Sequence, residues 1–197
     1  KTGRIHLNDT YFISEHAWVG CGAASGSSTM FAKLHSKVPV QDLLYGVIVQ
    51  SGNDAAIALA EGIAGSESTF ANMENQMSRQ IGLTESHWTN ASGLPDPAMH
   101  TTVHDLAVLA RYLIKNYPEY YHIFSEKEFT WNKIKQPNRN SLLEMGIGVD
   151  GLKTGHSEEA GYGMVMSTTD GGRRLIGVVH GLTTMRDRAE EGRKLLV

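Results

Sequence analysis

At 197 residues the chain is long enough to bury a sizeable core in one domain, or in two lobes of one domain. Hydrophobic residues make up 41% and charged residues 20%, which excludes a disordered chain, and no apolar run approaches the roughly 20 residues of a membrane-spanning helix. A formal charge of -3, with acids and bases interspersed, gives no electrostatic reason to favour nucleic acid or an anionic membrane as partner.

The opening "KTGRIHLNDT" carries a helix-ending Gly3 with no helix before it, so the chain reads as a piece of something longer. Cys21 is the only cysteine, which rules out an internal disulfide, and no helix start or cationic neighbour marks it as a reactive thiol. In "VPVQDLLYGVIVQ" the residues Val40, Leu43, Leu44, Val47 and Ile48 fall at helical spacing. The rhythm breaks at Ser51-Gly52-Asn53 and resumes in "DAAIALAEGIAG", so two helices meet there, the second starting near Asp54. "SESTFANMENQMSRQIGL" predicts a third helix with Phe70, Met73, Met77 and Ile81 inward, Ser66 or Ser68 as cap and Gly82 as stop.

"TNASGLPDPAMH" has loop composition, and Thr102 with Asp105 resembles a capping signal for the helix "DLAVLARYLIKNY". Strand signals follow. "EFTWNKIKQ" alternates, "GLKTG" is a short strand, and "GYGMVMSTTDGGRRLIGVVHGL" is a hairpin turning at Asp170-Gly171-Gly172, before "DRAEEGRKLLV" returns to helix. The order is α+β, with a helical lobe at about 36–125 and an antiparallel sheet lobe at about 126–197 that the last helix can cover.

Two short stretches carry chemistry together that neither carries alone. Ser51-Gly52-Asn53 is turn-forming or capping composition, and Lys-Thr-Gly occurs twice, at Lys1-Thr2-Gly3 and at Lys153-Thr154-Gly155. Only the second copy lies on a strand before a hairpin, where it forms a sheet edge open to a bound peptide.

A Ser-x-Asn helix junction followed by a Lys-Thr-Gly edge strand resembles the penicillin-recognising serine enzymes, whose third element is Ser-x-x-Lys. Within that group the chain resembles the low-molecular-mass D-alanyl-D-alanine carboxypeptidases, the penicillin-binding proteins of the type 5 and 6 kind. The likeness extends through "LLYGVIVQSGNDAAIALAE", "EKEFTWNKIKQPNRNSLL", "VDGLKTGHSEEAGY" and "RLIGVVHGLTT". It implies a β-lactamase/transpeptidase-like fold and acyl-enzyme hydrolysis of peptidoglycan stem peptides ending in D-Ala-D-Ala, without metal or cofactor. It implies a location in the periplasm or on the outer face of the cytoplasmic membrane, and β-lactam binding by the full-length parent.

The resemblance also implies roles. The Ser51 hydroxyl would pass a proton toward the leaving amine, and the Asn53 amide would bind the substrate carbonyl and steady the lysine. Lys153 would supply positive charge, Thr154 would hydrogen-bond the terminal carboxylate, and Gly155 would complete the strand that receives the peptide. The His156 backbone N–H would be an oxyanion donor, worth about 3 kcal/mol where such donors have been removed from other enzymes. Arg188 and Arg139 match family arginines at the carboxylate end, where a guanidinium fork suits a carboxylate.

The nucleophile is missing. No serine of the 197 residues has lysine three positions on, and the near miss Thr130 to Lys133 lies in the alternating "FTWNK", whose positions three apart face opposite sides of a strand. By the family's order, Ser-x-x-Lys and the N-terminal strands would precede residue 1. The chain alone is therefore expected to be inactive, and to associate through apolar surface and a bare strand edge with another copy, an added segment or a swapped element. Other readings are weaker. His100 and His104 stand at i and i+4, but a cap at Thr102 puts His100 outside the helix, and Glu158-Glu159 and Glu190-Glu191 are adjacent acids of a solvated surface. The alternatives are a class A type β-lactamase, which carries Ser-Asp-Asn rather than Ser-Gly-Asn, and a non-catalytic module that binds stem peptides.

Overall fold

Turn and cap residues place most elements where their periodicity predicts them. The structure, a computed structural model, describes residues 3–20 and 26–196, so the readings of Lys1, Thr2, Cys21 and Ser25 lie outside the described residues. Packing groups the chain into two interleaved units: Lys1–Met73 with Asn90–Gly93 and Glu128–Asn138, and Glu74–Thr89 with Leu94–Lys127 and Arg139–Val197.

In the first unit β1 (Thr10–Phe12) pairs antiparallel with β2 (Lys37–Pro39), and α1 (Val40–Ile48) and α2 (Asn53–Ala64) follow. The apolar stripes of these helices bury Val40, Leu43, Ala55, Ile57, Ala58 and Ala60, and Ile13, Met30 and Val38 share the same core. "EFTWNKIKQ" is not one alternating strand but a hairpin, β3 (Glu128–Trp131) and β4 (Ile134–Pro137). Asn132 and Lys133 take positive φ of 50 and 64, a two-residue turn whose twist suits a hairpin. Lys133 is thus a turn residue, which corrects the strand argument about Thr130. The hairpin belongs to the first unit rather than to a sheet portion starting near 126, and its anchors explain why: Gln50 Nε2 donates to Phe129 O (3.0 Å) and Gln136 Nε2 to Thr29 O (2.9 Å).

Helix α3 (Glu67–Ile81) begins with the Ser66 hydroxyl accepting from Thr69 N–H at 3.1 Å and ends before Gly82, at φ 86. Its inward face differs from the expected one. Met73 and Met77 are each 44% exposed, whereas Ala71, Asn75 and Ser78 are buried. Trp88 is the reason: its N–H donates to Asn75 Oδ1 (2.9 Å), its carbonyl accepts from Asn75 Nδ2 (2.7 Å), and its indole N–H donates to Ser78 Oγ (2.6 Å). A satisfied polar face has displaced the apolar stripe.

In the second unit Thr102 caps α4 (Val103–Asn116) by accepting from Asp105 N–H at 3.1 Å, with His100 outside the helix as expected. A short α5 (Pro118–Tyr121) precedes the three-stranded antiparallel sheet of β5 (Val149–Ser157), β6 (Gly161–Asp170) and β7 (Arg173–Leu182), in the order β5-β6-β7. Gly171 and Gly172, at φ 53 and 77, make the expected β6–β7 turn. The strand carrying Lys153 is longer than "GLKTG" alone indicates. Its start is tied down where Asp150 receives Tyr121 Oη (2.9 Å) and the Arg174 guanidinium (2.8 Å).

Helix α6 (Met185–Leu196) covers β6 and β7 over a core of Leu142, Met164, Met166 and Ala189. Among the described residues no helix is long and apolar enough to cross a membrane.

Candidate functional site

Ser51, Gly52 and Asn53 form the junction between α1 and α2. Ser51 has φ 57, a left-handed conformation that non-glycine residues adopt rarely and that functional junctions tolerate. The surroundings hold it there. Gln50 is fully buried, Gly52 N–H reaches back to Gly46 O (2.9 Å), and Asn53 N–H donates to Ser28 O (2.9 Å). The Asn53 amide itself donates to Ser27 Oγ at 3.3 Å. Beneath the junction the buried Asp54 carboxylate accepts from Thr29 Oγ1 (2.7 Å), Met30 N–H (2.9 Å) and Ala32 N–H (3.1 Å). A Cβ on Gly52 would sit 2.9 Å from Asp54 Oδ1 and 3.0 Å from Met30 N, so glycine is required between Ser51 and Asn53.

In the second unit the structure brings together Arg139, Lys153, Thr154, His156 and Arg188. Lys153 is half-buried by surface area with its ammonium desolvated, and donates to Thr154 O at 2.8 Å. Burial pushes this ammonium down to about 8, and the like charges of Arg139 and Arg188 add to the shift. Arg188 is 6% exposed, donates to Arg139 O (3.3 Å), and forms no ion pair with a carboxylate among the described residues. Burial also lowers the Arg188 guanidinium below its ordinary value. Thr154 is buried beside Lys153, while Gly155 is exposed with no atom within 4 Å of where its Cβ would be. β5 is an edge of its sheet among the described residues, so no strand pairs with the other side of Lys153–Gly155 there.

Chemically, this is a cluster of cations beside a strand edge, in which the buried Arg188 guanidinium has no acid paired to it among the described residues. Asn140 supports it: its amide donates to Gly151 O (3.2 Å) and its oxygen caps Leu142 N–H (3.2 Å), tying the segment that carries Arg139 to β5. Two contributors were not singled out from the sequence. Tyr162 stacks on His156 with ring centroids 3.9 Å apart and lies under Arg188, and Asp54 organises the Ser51 junction. The pairing of His156 with Tyr162 was accessible by counting back across the hairpin, but the Asp54 network had no local signal. The adjacent acids are on the surface as read, with Glu190 paired to Arg186 and Glu191 to Lys194.

Comparison with known proteins decides the family. Residues 1–184 match the family described as D-alanyl-D-alanine carboxypeptidase. The chain belongs to the D-alanyl-D-alanine carboxypeptidase family. It is 46% identical over 195 residues to the D-alanyl-D-alanine carboxypeptidase DacD of Escherichia coli, covering 98% of this chain and 50% of that protein. It is 47% identical over 198 residues to DacA of Haemophilus influenzae, covering 100% of this chain and 50% of that one. Among solved structures it is similar to penicillin binding protein 5 of Haemophilus influenzae, with a TM-score of 0.93 and 46% identity, covering 98% of this chain and 56% of that one. The chain thus spans about half the length of the curated relatives it matches. The fold is the α+β fold of these penicillin-binding proteins, and the family match falls on the carboxypeptidases.

Proposed function

We propose that this chain supplies the substrate-gripping part of a D-alanyl-D-alanine carboxypeptidase that acts on peptidoglycan stem peptides in the cell envelope. The observation that carries the reading is the buried Arg188, which pairs with no acid among the described residues and lies beside Lys153 and Arg139, a site electrostatically suited to a terminal carboxylate. In this reading Arg188 and Arg139 receive the carboxylate, the Thr154 hydroxyl adds a hydrogen bond, and the peptide runs along Lys153–Gly155. The His156 N–H stabilises the oxyanion, Ser51 relays a proton to the leaving amine, and Asn53 binds the substrate carbonyl. The acyl-enzyme step needs a Ser-x-x-Lys pair, which these 197 residues lack, so they bind the peptide without cleaving it.

Calorimetric titration with N-acetyl-D-Ala-D-Ala and with its C-terminal carboxamide tests this. The free carboxylate should bind about tenfold tighter or better, and equal affinity for the two would overturn the reading. Fluorescent penicillin should leave the chain unlabelled, while a protein of this family containing Ser-x-x-Lys takes the label. Absence of label from both would favour a purely binding module.

Self-association is part of the same proposal. Its support is the exposure of Phe12 (49%), Val19 (56%), Met185 (63%) and Leu195 (58%), with a strand edge at β7. Elution as a well-folded monomer in size-exclusion chromatography would contradict it.

A further inference from the structure

We infer that Tyr162 is a positioning residue for carboxylate recognition: one aromatic ring that fixes both the Arg188 guanidinium and the His156 segment of β5. The inference rests on the reading that Arg188 receives a carboxylate.

The placement follows from two registers that coincide. Across the β5–β6 hairpin His156 pairs with Tyr162 and Thr154 with Met164, and alternation puts all four side chains on one face of the sheet. Helix α6 lies over that face. Arg188, Gly192 and Leu196 are spaced i, i+4 and i+8, one row of the helix. A Cβ on Gly192 would meet Met164 Cε at 2.6 Å and Met166 Sδ at 2.9 Å, so the helix backbone approaches β6 closely at this point. One turn earlier the row delivers Arg188 onto Tyr162, with Cζ 5.6 Å from the ring centroid. The ring also stacks on His156, at 3.9 Å and 30° between planes.

The ring performs a task that no acid among the described residues performs. A guanidinium 6% exposed has lost most of its water, and its direct hydrogen bond is to the Arg139 carbonyl. The negative face of Tyr162 offsets part of that loss without neutralising the charge, so the fork stays oriented and still attracts an anion. A carboxylate in the place of the ring would pair with Arg188 and compete with the ligand. Because the same ring stacks on His156, loosening it would also loosen the strand segment proposed to carry the oxyanion donor.

The test uses this chain, the N-acetyl-D-Ala-D-Ala carboxylate and carboxamide, and the variants Tyr162→Phe and Tyr162→Leu. Phenylalanine keeps the ring and should keep the carboxylate-to-carboxamide affinity ratio within about twofold. Leucine should lower that ratio about five- to tenfold, beyond any loss that both ligands share through the loosened His156 segment. A ratio equal to wild type in Tyr162→Leu would overturn the inference, whereas a wild-type ratio near one would overturn the carboxylate reading instead. An NMR measurement of the wild type is independent of whether the leucine variant folds. The Arg188 Nε–H signal, assigned by its loss in Arg188→Lys, should be sharp and shifted by the ring current. A signal at the position of a freely solvated arginine would overturn the positioning role.

Discussion

Asp54 in the first unit and Arg188 in the second are both charges removed from water, 1% and 6% exposed, and they are satisfied in opposite ways. Three donors converge on Asp54, two of them backbone N–H groups of the Met30–Ala32 segment, so the carboxylate is used up in shaping the chain that carries Ser51 and Asn53. Arg188 and Arg139 repel the Lys153 ammonium, and the contacts of Arg188 among the described residues include a carbonyl oxygen and the face of a tyrosine. A satisfied buried ion specifies structure, whereas an unsatisfied one stores a preference for a ligand.

The contrast can be broken most severely at Asp54. Asp54→Ala should strand three donors and lower the unfolding free energy by about 3 kcal/mol or more, read as a drop in the urea midpoint. Arg188→Gln, by comparison, should leave the midpoint nearly in place while lowering carboxylate affinity. If the two substitutions destabilise equally, the distinction between a structural and a poised charge fails. Gly52→Ala tests the same junction sterically. Its Cβ would press on Asp54 and on the Met30 backbone, a cost of about 1–3 kcal/mol in thermal denaturation.

Lys153 sharpens the comparison through pH. Its folded-state value near 8 lies below the unfolded value of 10.5, so between those limits the unfolded chain holds more protons and stability rises with pH. Burial raises the Tyr121 phenol, which acts oppositely once pH passes its unfolded value of 10.0, so the useful quantity is wild type minus Lys153→Met. That difference in urea midpoint should be flat below about pH 8 and should move in favour of wild type from there to about 10.5. A difference independent of pH over this range would show that Lys153 is not desolvated. The smallest effect belongs to the exposed Arg186–Glu190 pair: Glu190→Gln should move neither the midpoint nor peptide affinity measurably.

Much of the fold is legible where one residue type has a local reason to stop or start an element. Thr102 caps α4, Gly82 ends α3, and Gly171-Gly172 turns β6 into β7 because caps and left-handed turns are decided within a few residues. Legibility ends where a remote partner reverses a local preference. Met73 and Met77 have the spacing of a buried stripe, yet Trp88 claims Asn75 and Ser78 and turns that stripe outward. The candidate site divides the same way: Lys153-Thr154-Gly155 and Ser51-Gly52-Asn53 are recognisable as patterns, but the reason Arg188 rests on Tyr162 depends on how α6 is seated on β6.

By itself, then, the sequence determined the α+β order, the caps of α3 and α4, the β6–β7 turn and the family, because periodicity, caps and motifs are properties of short stretches of chain. Tertiary structure alone decided that Asp54 holds three donors, that Arg188 is buried with no carboxylate paired to it among the described residues, and that one tyrosine contacts both Arg188 and His156. Those facts depend on which distant groups share a desolvated space, where the strength of a charge is set by its surroundings rather than by its own identity.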